Sequence, residues 1–364
     1  MQKSAIAGRL IENSASRPGE RSGVVVIAEA GVNHNGDAAL ARELTDAAKL
    51  AGADAIKFQT FRTENVVTRR AAMAGYQRKN LGEGGSQFEM LKKLELAPAD
   101  FRSLQQYAGS VGIEFLSTPD DEESLDFLVD ELGMTAVKIG SGEVTNLPFL
   151  RRISLKAKPM ILSTGMSSLG EVERALAILR GDSQQAVTVL HCTSSYPCDP
   201  GDANLLAMTS MRDALKVPVG YSDHTLGSEV SLAAVALGAT VIEKHLTLDK
   251  RMKGPDHAAS LDPAEFADLV RLIRRVESAL GDGIKRLTSS ESATRALVQR
   301  RLVTARDVEK GAAVSWKDLV FKRAERGIAV ELADLVIGMS FTAKLPGDTP
   351  IQWSDVAQDH ESKR

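Results

Sequence analysis

Eight short apolar runs, each followed by a cluster of polar residues, recur along the first two thirds of the chain. The runs occupy residues 24–28, 55–59, 114–117, 136–139, 160–163, 188–191, 219–221 and 241–244. Buried parallel strands are typically continuous apolar runs, because both faces of their sheet are covered. Helical patterns separate the runs, and this even alternation indicates a closed (β/α)₈ TIM barrel rather than an open sheet. In a barrel the polar clusters would meet at the C-terminal mouth.

The helical patterns carry recognisable start signals. Ser168 and Glu171 have the spacing of a capping box, and Asp262 and Glu265 have the same spacing. Residues 62–93 break the regular alternation, because they are too many for a plain loop between a strand and a helix. We expect this segment to cover the barrel mouth.

The pattern changes after the last barrel helix. Residues 24–282 would form the barrel, and the polar residues 283–298 read as a linker. Residues 299–358 contain short strand-like runs at 302–305, 313–315, 319–322 and 340–343, separated by glycines, which predicts a small β-rich domain. Residues 1–23 are polar and rich in Ser, Arg and Glu, so we expect them to be disordered, like most unanchored termini.

Composition excludes several classes of function. The 364-residue chain has a formal net charge of −3, which argues against a nucleic-acid or membrane partner. It has two cysteines, Cys192 and Cys198, which form neither a disulfide framework nor a zinc pattern. No apolar run reaches membrane-spanning length, and the N-terminus lacks the apolar stretch of a signal peptide. These features predict a cytoplasmic protein.

Two histidines end consecutive predicted strands. His224 follows the seventh run and His245 follows the eighth. Imidazoles from adjacent strand ends can share a divalent cation, with water or substrate filling the other positions. Two ligands do not define a metal site, so two unrelated polar side chains at strand ends are an equally good interpretation.

Cationic and hydroxyl side chains also cluster at strand ends. Lys57 lies in the second run and Lys138 near the end of the fourth, and three hydroxyl side chains lie at or just beyond the ends of runs: Ser141, Ser163 and Ser222. Ammonium and hydroxyl groups together favour a bound phosphate. The competing interpretation is that the lysines form structural ion pairs with Glu29 and Glu143. Either carboxylate could instead act as a general acid or base.

The chain resembles the sialic acid (nonulosonate) synthases over nearly its whole length after residue 24. The matching segments, in order, are IAEAGVNHNG (27–36), IKFQT (56–60), STP (117–119), KIGSGE (138–143), LSTGM (162–166), HCTS (191–194), SDHT (222–225), EKH (243–245), GPD (254–256) and FKR (321–323). The C-terminal domain resembles the family's antifreeze-like (SAF) domain, which has a β-clip fold.

The resemblance implies a condensation of phosphoenolpyruvate with N-acetylmannosamine to N-acetylneuraminate and phosphate, with Mn²⁺ or Mg²⁺ held by His224 and His245. The residues implied for phosphoenolpyruvate are Lys57, Lys138, Ser141, Ser163, Ser194 and Ser222. Those implied for the sugar are Glu29, Gln59, Tyr196, Asp256 and Arg323. Glu143 would be the catalytic acid and base. Arg323 would reach into the mouth of the other subunit, which implies a domain-swapped homodimer.

The sequence departs from the family in two places. The family usually continues Lys-Arg-Pro-Gly-x-Gly, whereas AERG (324–327) follows Arg323 here, and Ser194 replaces the Asn of some members. The first alternative is therefore a synthase for N,N′-diacetyllegionaminate or a related nonulosonate, made from a diacetamido-trideoxy hexose. More distant alternatives are a Schiff-base aldolase that uses Lys57 or Lys138 and a non-catalytic carbohydrate-binding protein.

Overall fold

The computed structural model describes residues 5–15, 23–81, 85–181 and 185–358. The chain divides into two compact units, with the boundary between Gly283 and Ile284. The strands of the first unit are β1 (Val25–Gly31), β2 (Ala55–Thr60), β3 (Glu114–Pro119), β4 (Val137–Ile139), β5 (Met160–Ser163), β6 (Val187–His191), β7 (Val219–Asp223) and β8 (Val241–His245). Those of the second unit are β9 (Arg300–Thr304), β10 (Leu319–Arg323), β11 (Ser340–Phe341) and β12 (Val356–Ala357).

Helices follow most of the barrel strands. In the first unit they are α1 (Ala5–Ala15), α2 (Ala38–Leu50), α3 (Thr63–Val66), α4 (Gly75–Leu81), α5 (Gln87–Leu94), α6 (Pro98–Val111), α7 (Glu122–Asp126), α8 (Leu147–Leu155), α9 (Leu169–Arg180), α10 (Leu206–Leu215), α11 (Glu229–Ala236) and α12 (Pro263–Leu280). The second unit contains α13 (Ser289–Val298) and α14 (Ala333–Val336). The expected capping boxes are present at the start of α9 and of α12.

The eight parallel strands form the predicted barrel. Their hydrogen-bonded order is β3-β2-β1-β8-β7-β6-β5-β4, and the two strands at its ends, β3 and β4, lie in contact. The fold class predicted from the eight apolar runs is therefore confirmed. Within the described part of the chain, no helix is long and apolar enough to cross a bilayer.

The alternation of side chains along each strand decides which groups reach the barrel interior. A buried inner layer consists of Val25, Ile27, Ala55, Leu116, Ala136, Ile161, Leu190 and Val241, together with two residues of α1. Two residues further along the same strands, the inward positions are polar or carry a thiol: Glu29, Lys57, Thr118, Lys138, Ser163, Cys192 and Glu243. The lower interior is therefore an apolar core, and the upper interior is polar.

Helix α1 fills the N-terminal end of this core. Ile6 and Leu10 are fully buried and belong to the same apolar cluster as the inner barrel layer. Arg9 lies 2.6 Å from a carboxylate oxygen of Asp54, and the Ile6 backbone N–H donates to Glu114 at 3.1 Å. The expected disorder is therefore wrong for residues 5–15, whose apolar face packs against the barrel. Residues 1–4 and 16–22 of that prediction lie outside the described residues.

The second unit is the small β-rich domain expected from the sequence. Strands β9 and β10 pair antiparallel, as do β11 and β12, and a separate apolar cluster lies within the unit. One expected strand, residues 313–315, forms only an isolated bridge from Ala313 to Ser340. The segment expected to be a linker, residues 283–298, contains the exposed helix α13.

Candidate active site

A buried cluster of ion pairs occupies the upper interior of the barrel. The ammonium of Lys57 lies 2.5 Å from Glu29 Oε2 and 3.8 Å from Glu243 Oε2. It also donates to Thr118 Oγ1 at 3.0 Å. Lys57, Glu29 and Glu243 are each at most 5% exposed. Strand register explains the first contact, because Glu29 on β1 is paired with Lys57 on β2.

The second lysine joins the same cluster from the opposite side of the barrel. Lys138 Nζ lies 3.5 Å from Glu243 Oε1 and donates to Ser163 Oγ at 2.8 Å. Ser222 Oγ donates to Glu243 Oε1 at 2.9 Å. The structure thus brings together both lysines and two of the hydroxyl groups that the sequence assigned to phosphate binding. These contacts fit both interpretations of the lysines. Each ammonium group pairs with a carboxylate, as in a structural ion pair, and each also contacts a hydroxyl group, as in a phosphate site.

Burial and neighbouring charge separate the two carboxyl groups. Burial is the largest influence on Glu29 and raises its pKa, although Lys57 opposes the shift. Burial also disfavours the ionised form of Glu243, but Lys138 and Lys57 together lower the pKa of that carboxyl below its usual value. Glu243 therefore stays ionised, whereas Glu29 is able to carry a proton near neutral pH. A proton on Glu29 leaves the cluster with net positive charge, which suits an anionic ligand.

The two histidines lie side by side at the rim of this cluster. Their ring centroids are 5.8 Å apart, and both rings are less than a tenth exposed. Burial lowers the pKa of His224 and lowers that of His245 further below its usual value, so both imidazoles are neutral. His224 Nδ1 lies 2.7 Å from the Thr193 carbonyl oxygen, which only accepts, so Nδ1 carries the proton and Nε2 keeps a lone pair.

This donor set fits a shared divalent cation. Two imidazole nitrogens bound to one ion at about 2.1 Å place the ring centroids roughly 5–6.5 Å apart, which includes the observed separation. His245 Nδ1 is buried and has no hydrogen-bond partner among the described residues. No group of three or more His, Cys, Asp or Glu ligands occurs in the described ranges, so water or substrate would complete the coordination.

A second niche of hydroxyl and thiol groups surrounds Gly165, directly after β5. A Cβ atom at this position would lie 2.2 Å from Ser194 Oγ, 3.0 Å from Ser141 Oγ and 3.2 Å from Cys192 Sγ. The backbone N–H of Gly165 donates to Ser141 Oγ at 3.0 Å. The remaining two serines of the predicted phosphoenolpyruvate set are therefore neighbours of each other. A side chain at position 165 would force the Ser194 hydroxyl to move.

Two of the residues expected to face the sugar lie beside the histidines, because Tyr196 packs against both rings and Glu29 on β1 is paired in register with His245 on β8. The Tyr196 ring packs 4.1 Å from the His224 ring, and Gln59 Nε2 donates to Glu29 Oε1 at 3.2 Å. Asp256 is buried, and burial raises its pKa to about 6. These positions are consistent with a polar subsite above the ion-pair cluster.

The long segment after β2 covers this region, as expected from its length. The Tyr76 ring lies 5.1 Å from the Tyr196 ring, and Asn80 Nδ2 donates to the carbonyl oxygen of Pro255 at 2.6 Å. Both contacts come from α4, the middle helix of the segment. Residues 82–84 of this segment lie outside the described residues.

Glu143 lies at the rim rather than in the ion-pair cluster. It ends a single 3₁₀ turn, Ser141–Glu143, and is half-buried. Its carboxylate accepts a 2.6 Å hydrogen bond from Asn146 Nδ2. Its charge also contributes to raising the pKa of Asp120 to about 7, although burial of Asp120 is the larger cause. A carboxylate at this position can exchange protons with solvent and with a ligand in the mouth.

Sequence reasoning missed Glu243, Thr118 and Asp120. Glu243 lies two residues before His245 on β8, so strand alternation alone would have placed both side chains in the interior. Thr118 follows Leu116 on β3 by the same rule. Asp120 comes after the end of β3, and no sequence pattern distinguishes it from an ordinary loop aspartate. Arg323 is exposed at the end of β10 in the second unit, where it is paired with Arg300.

Comparison with known proteins agrees with this geometry. The NeuB family model matches residues 44–285, and the SAF domain model matches residues 299–357. The chain is 47% identical over 335 residues to the N,N′-diacetyllegionaminic acid synthase of Legionella pneumophila, covering 91% of this chain and 94% of that protein. It is also 47% identical over 330 residues to the synthase of the same name from Campylobacter jejuni, covering 90% and 98% of the two chains.

A solved structure extends the comparison to three dimensions. The N-acetylneuraminic acid synthetase of Leptospira borgpetersenii, crystallised with citrate, superposes with a TM-score of 0.66 at 35% identity, covering 75% of this chain and 90% of that one. The predicted resemblance and the predicted class of enzyme, a transferase that makes a sugar acid, are confirmed. The chain belongs to the NeuB family and carries a SAF domain after its barrel.

Proposed function

We propose that the protein condenses phosphoenolpyruvate with a diacetamido-trideoxy mannose to give N,N′-diacetyllegionaminate and phosphate. One observation carries the choice of sugar. Two synthases of that product are each 47% identical to at least 90% of this chain, whereas the N-acetylneuraminic acid synthetase is 35% identical over 75% of it. This supports the alternative expectation from the sequence over the main one, N-acetylneuraminate synthesis.

The buried lysines would bind phosphoenolpyruvate. Lys57 and Lys138 supply two ammonium groups in a water-poor interior, where attraction to an anion is stronger than in solvent. Hydroxyl groups on both sides would accept or donate hydrogen bonds to the phosphate and carboxylate: Ser141, Ser163, Ser194 and Ser222. A proton on Glu29 would reduce the repulsion that two carboxylates would otherwise exert on this anion.

His224 and His245 would hold Mn²⁺ or Mg²⁺. When bound, such an ion supplies a Lewis acid that polarises the aldehyde of the open-chain sugar. The hydrogen bond from His224 Nδ1 to the Thr193 carbonyl fixes the ring so that Nε2 is the ligand atom. The packing of Tyr196 against His224 holds the ring from its other side.

Two carboxyl groups of the chain would donate and accept the protons of the reaction. The methylene carbon of phosphoenolpyruvate bonds to the aldehyde carbon with the electron pair of its double bond, and the aldehyde oxygen takes up a proton, which the protonated carboxyl of Glu29 would donate. Water then adds to the carbon that bears the phosphate, and the tetrahedral intermediate releases phosphate. We assign to Glu143 the role of acid and base in this second stage, because its carboxylate lies at the solvent-accessible rim.

Sugar recognition would combine residues of the barrel with one residue of a second subunit. Glu29, Gln59, Tyr196 and Asp256 would face the sugar, and Arg323 would approach from the partner in a swapped homodimer. The AERG sequence at residues 324–327 would alter the loop that aims Arg323. A deoxygenated sugar needs fewer hydrogen bonds at its terminal carbon than a hydroxylated one, so such a change is compatible with the proposed substrate.

The decisive experiment measures phosphate release from phosphoenolpyruvate with each sugar in the presence of Mn²⁺. We expect kcat/KM for the diacetamido-trideoxy mannose to exceed that for N-acetylmannosamine by about 100-fold, a ratio that binding differences of a few kcal/mol can supply. Equal or reversed values would refute the assigned sugar. Absence of phosphate release with both sugars, together with borohydride trapping of a lysine adduct, would favour the Schiff-base aldolase.

Two further measurements test the remaining parts of the proposal. Chelation should abolish phosphate release and added Mn²⁺ should restore it, whereas full activity of metal-free protein would contradict the two-histidine site. Sedimentation analysis should give a dimer. Mixing an Arg323→Ala chain with a Glu143→Gln chain should regain part of the activity, because each mixed dimer would contain one intact composite site.

A further inference from the structure

A buried ion pair lies on the outer side of the barrel wall, directly behind the two histidines. Asp223 on β7 and Lys244 on β8 are paired in register, and the carboxylate and ammonium are 2.9 Å apart. Neither side chain is exposed to solvent. Lys244 lies between Glu243 and His245 in the sequence, so strand alternation directs its side chain away from the interior that those two residues face.

We propose that Asp223 and Lys244 are positioning residues, which set the distance and angle between His224 and His245 and thereby the affinity for a divalent cation. This inference rests on the metal role assigned to the histidines above. It concerns neither sugar nor phosphoenolpyruvate binding, and neither residue of the pair reaches the proposed ion.

The Asp223 carboxylate fixes the turn that carries His224. Its Oδ1 accepts from the backbone N–H of Thr225 at 2.9 Å and from the Thr225 hydroxyl at 2.7 Å. Its Oδ2 accepts from Ser231 Oγ, on helix α11, at 2.5 Å. His224 therefore lies between Asp223, which accepts both hydrogen bonds, and Thr225, which donates them. Its backbone has little freedom to rotate as a result.

The Lys244 ammonium ties this turn to the strand that carries the other histidine. It donates to the Thr225 carbonyl oxygen at 2.6 Å, in addition to its contact with Asp223. Each histidine thus has a sequence neighbour in the pair. A shift of β7 relative to β8 would break several buried hydrogen bonds together. Groups behind a metal-binding shell are known to alter affinity by orienting the ligands.

The test removes the pair while avoiding an isolated buried charge. The double substitution Asp223→Asn with Lys244→Met leaves no uncompensated charge, and an asparagine oxygen can still accept from Thr225. We expect Mn²⁺ affinity, measured by calorimetric titration of the full chain without substrates, to fall about 10–100-fold. The unfolding temperature of the metal-free variant should remain close to that of the wild type.

A second variant keeps the test decisive if the double variant does not fold. Thr225→Val deletes one hydrogen bond to Asp223 at the His224 turn, and it should weaken Mn²⁺ binding severalfold. Lys156→Met is the matched control, because it breaks ion pairs of 2.7 Å and 2.5 Å on the outer surface of the barrel unit, and its Mn²⁺ affinity should be unchanged.

The outcomes separate this inference from the proposed function. Wild-type affinity for Mn²⁺ in Thr225→Val, and in the double variant where it folds, would overturn the positioning role and leave the two-histidine site intact. A wild-type chain that binds no Mn²⁺ would overturn the metal site itself, and the positioning role with it. Equal losses in the Lys156→Met control would also overturn the inference, since the effect would not be specific to this pair.

Discussion

Lys138 and Glu243 lie on opposite sides of the barrel, four strands apart in its hydrogen-bonded order, yet their charged groups are 3.5 Å apart. Glu243 also lies 3.8 Å from Lys57, so one carboxylate spans the interior between two ammonium groups. Buried charges are tolerated when they are paired, and removal of one partner leaves the other uncompensated. Glu243 therefore balances the positive charge that the proposed anionic substrate would meet.

Replacing Glu243 should lower stability and strengthen the effect of a bound anion. Glu243→Gln keeps the shape but leaves Lys57 and Lys138 with less compensation, so we expect the free energy of unfolding to fall by about 3–5 kcal/mol. Inorganic phosphate should raise the unfolding temperature more in the variant than in the wild type, because the anion replaces the lost charge. Glu309→Gln, which removes an exposed partner of Lys344, is the control and should change neither quantity. Identical phosphate effects in both proteins would contradict the assigned role.

The niche at Gly165 predicts a selective loss of phosphoenolpyruvate binding. Gly165→Ala would place a methyl group 2.2 Å from Ser194 Oγ, so the hydroxyl must move. We expect the KM for phosphoenolpyruvate to rise by at least about tenfold, which corresponds to 1.4 kcal/mol of binding free energy. Gly142→Ala is the control, because nothing lies within 4 Å of its added methyl group. Steady-state kinetics with both variants would show whether the niche matters.

Glu143 should matter for turnover and not for folding. Glu143→Gln can still accept a hydrogen bond from Asn146 but can no longer take up a proton, so we expect kcat to fall by about 10²–10⁴ with phosphoenolpyruvate affinity unchanged. Asp120→Asn is the comparison, because Asp120 is the neighbouring carboxyl with a pKa near 7. Near-normal turnover in Glu143→Gln combined with a large loss in Asp120→Asn would transfer the role to Asp120.

Helix α1 should contribute measurably to the stability of the barrel. Leu10 is fully buried among the inner-layer side chains, so Leu10→Ala should lower the free energy of unfolding by about 2–5 kcal/mol. Ile11, the next residue on the same helix, is 53% exposed, and Ile11→Ala should cost less than about 0.5 kcal/mol. Urea denaturation measures both. Equal small effects would mean that the helix does not plug the barrel in solution.

Asp256 predicts a dependence of stability on pH. Burial raises its folded pKa to about 6, above the value of about 3.9 for an unfolded aspartate. The fold therefore favours the protonated form, and the stability that this provides is present at low pH and lost as pH rises through about 6. Between about pH 4 and pH 7, the wild type should lose roughly 2–3 kcal/mol relative to Asp256→Asn. The free energy of unfolding, measured by urea denaturation at each pH, should show no such difference for the control Asp268→Asn, since Asp268 is exposed.

The sequence by itself determined the barrel and the list of side chains at its mouth. Apolar strands must be buried on both faces, and in a closed barrel their polar C-terminal ends meet at one mouth. Four residues at these ends were therefore expected to lie near one another: Lys57, Lys138, His224 and His245. The resemblance of whole segments such as KIGSGE and SDHT then indicated the family. The amphipathic face of α1 was present in the sequence too, but its polar surroundings concealed it.

Only the tertiary structure decided how these groups pair. The contact of Glu243 with two lysines depends on barrel diameter and strand stagger, which no local pattern encodes. The same holds for the close approach of Ser194 and Ser141 at Gly165, and for the outer pairing of Asp223 with Lys244. Local sequence fixes which side of a strand a residue occupies, whereas distances across a closed sheet follow from the packing of all eight strands together.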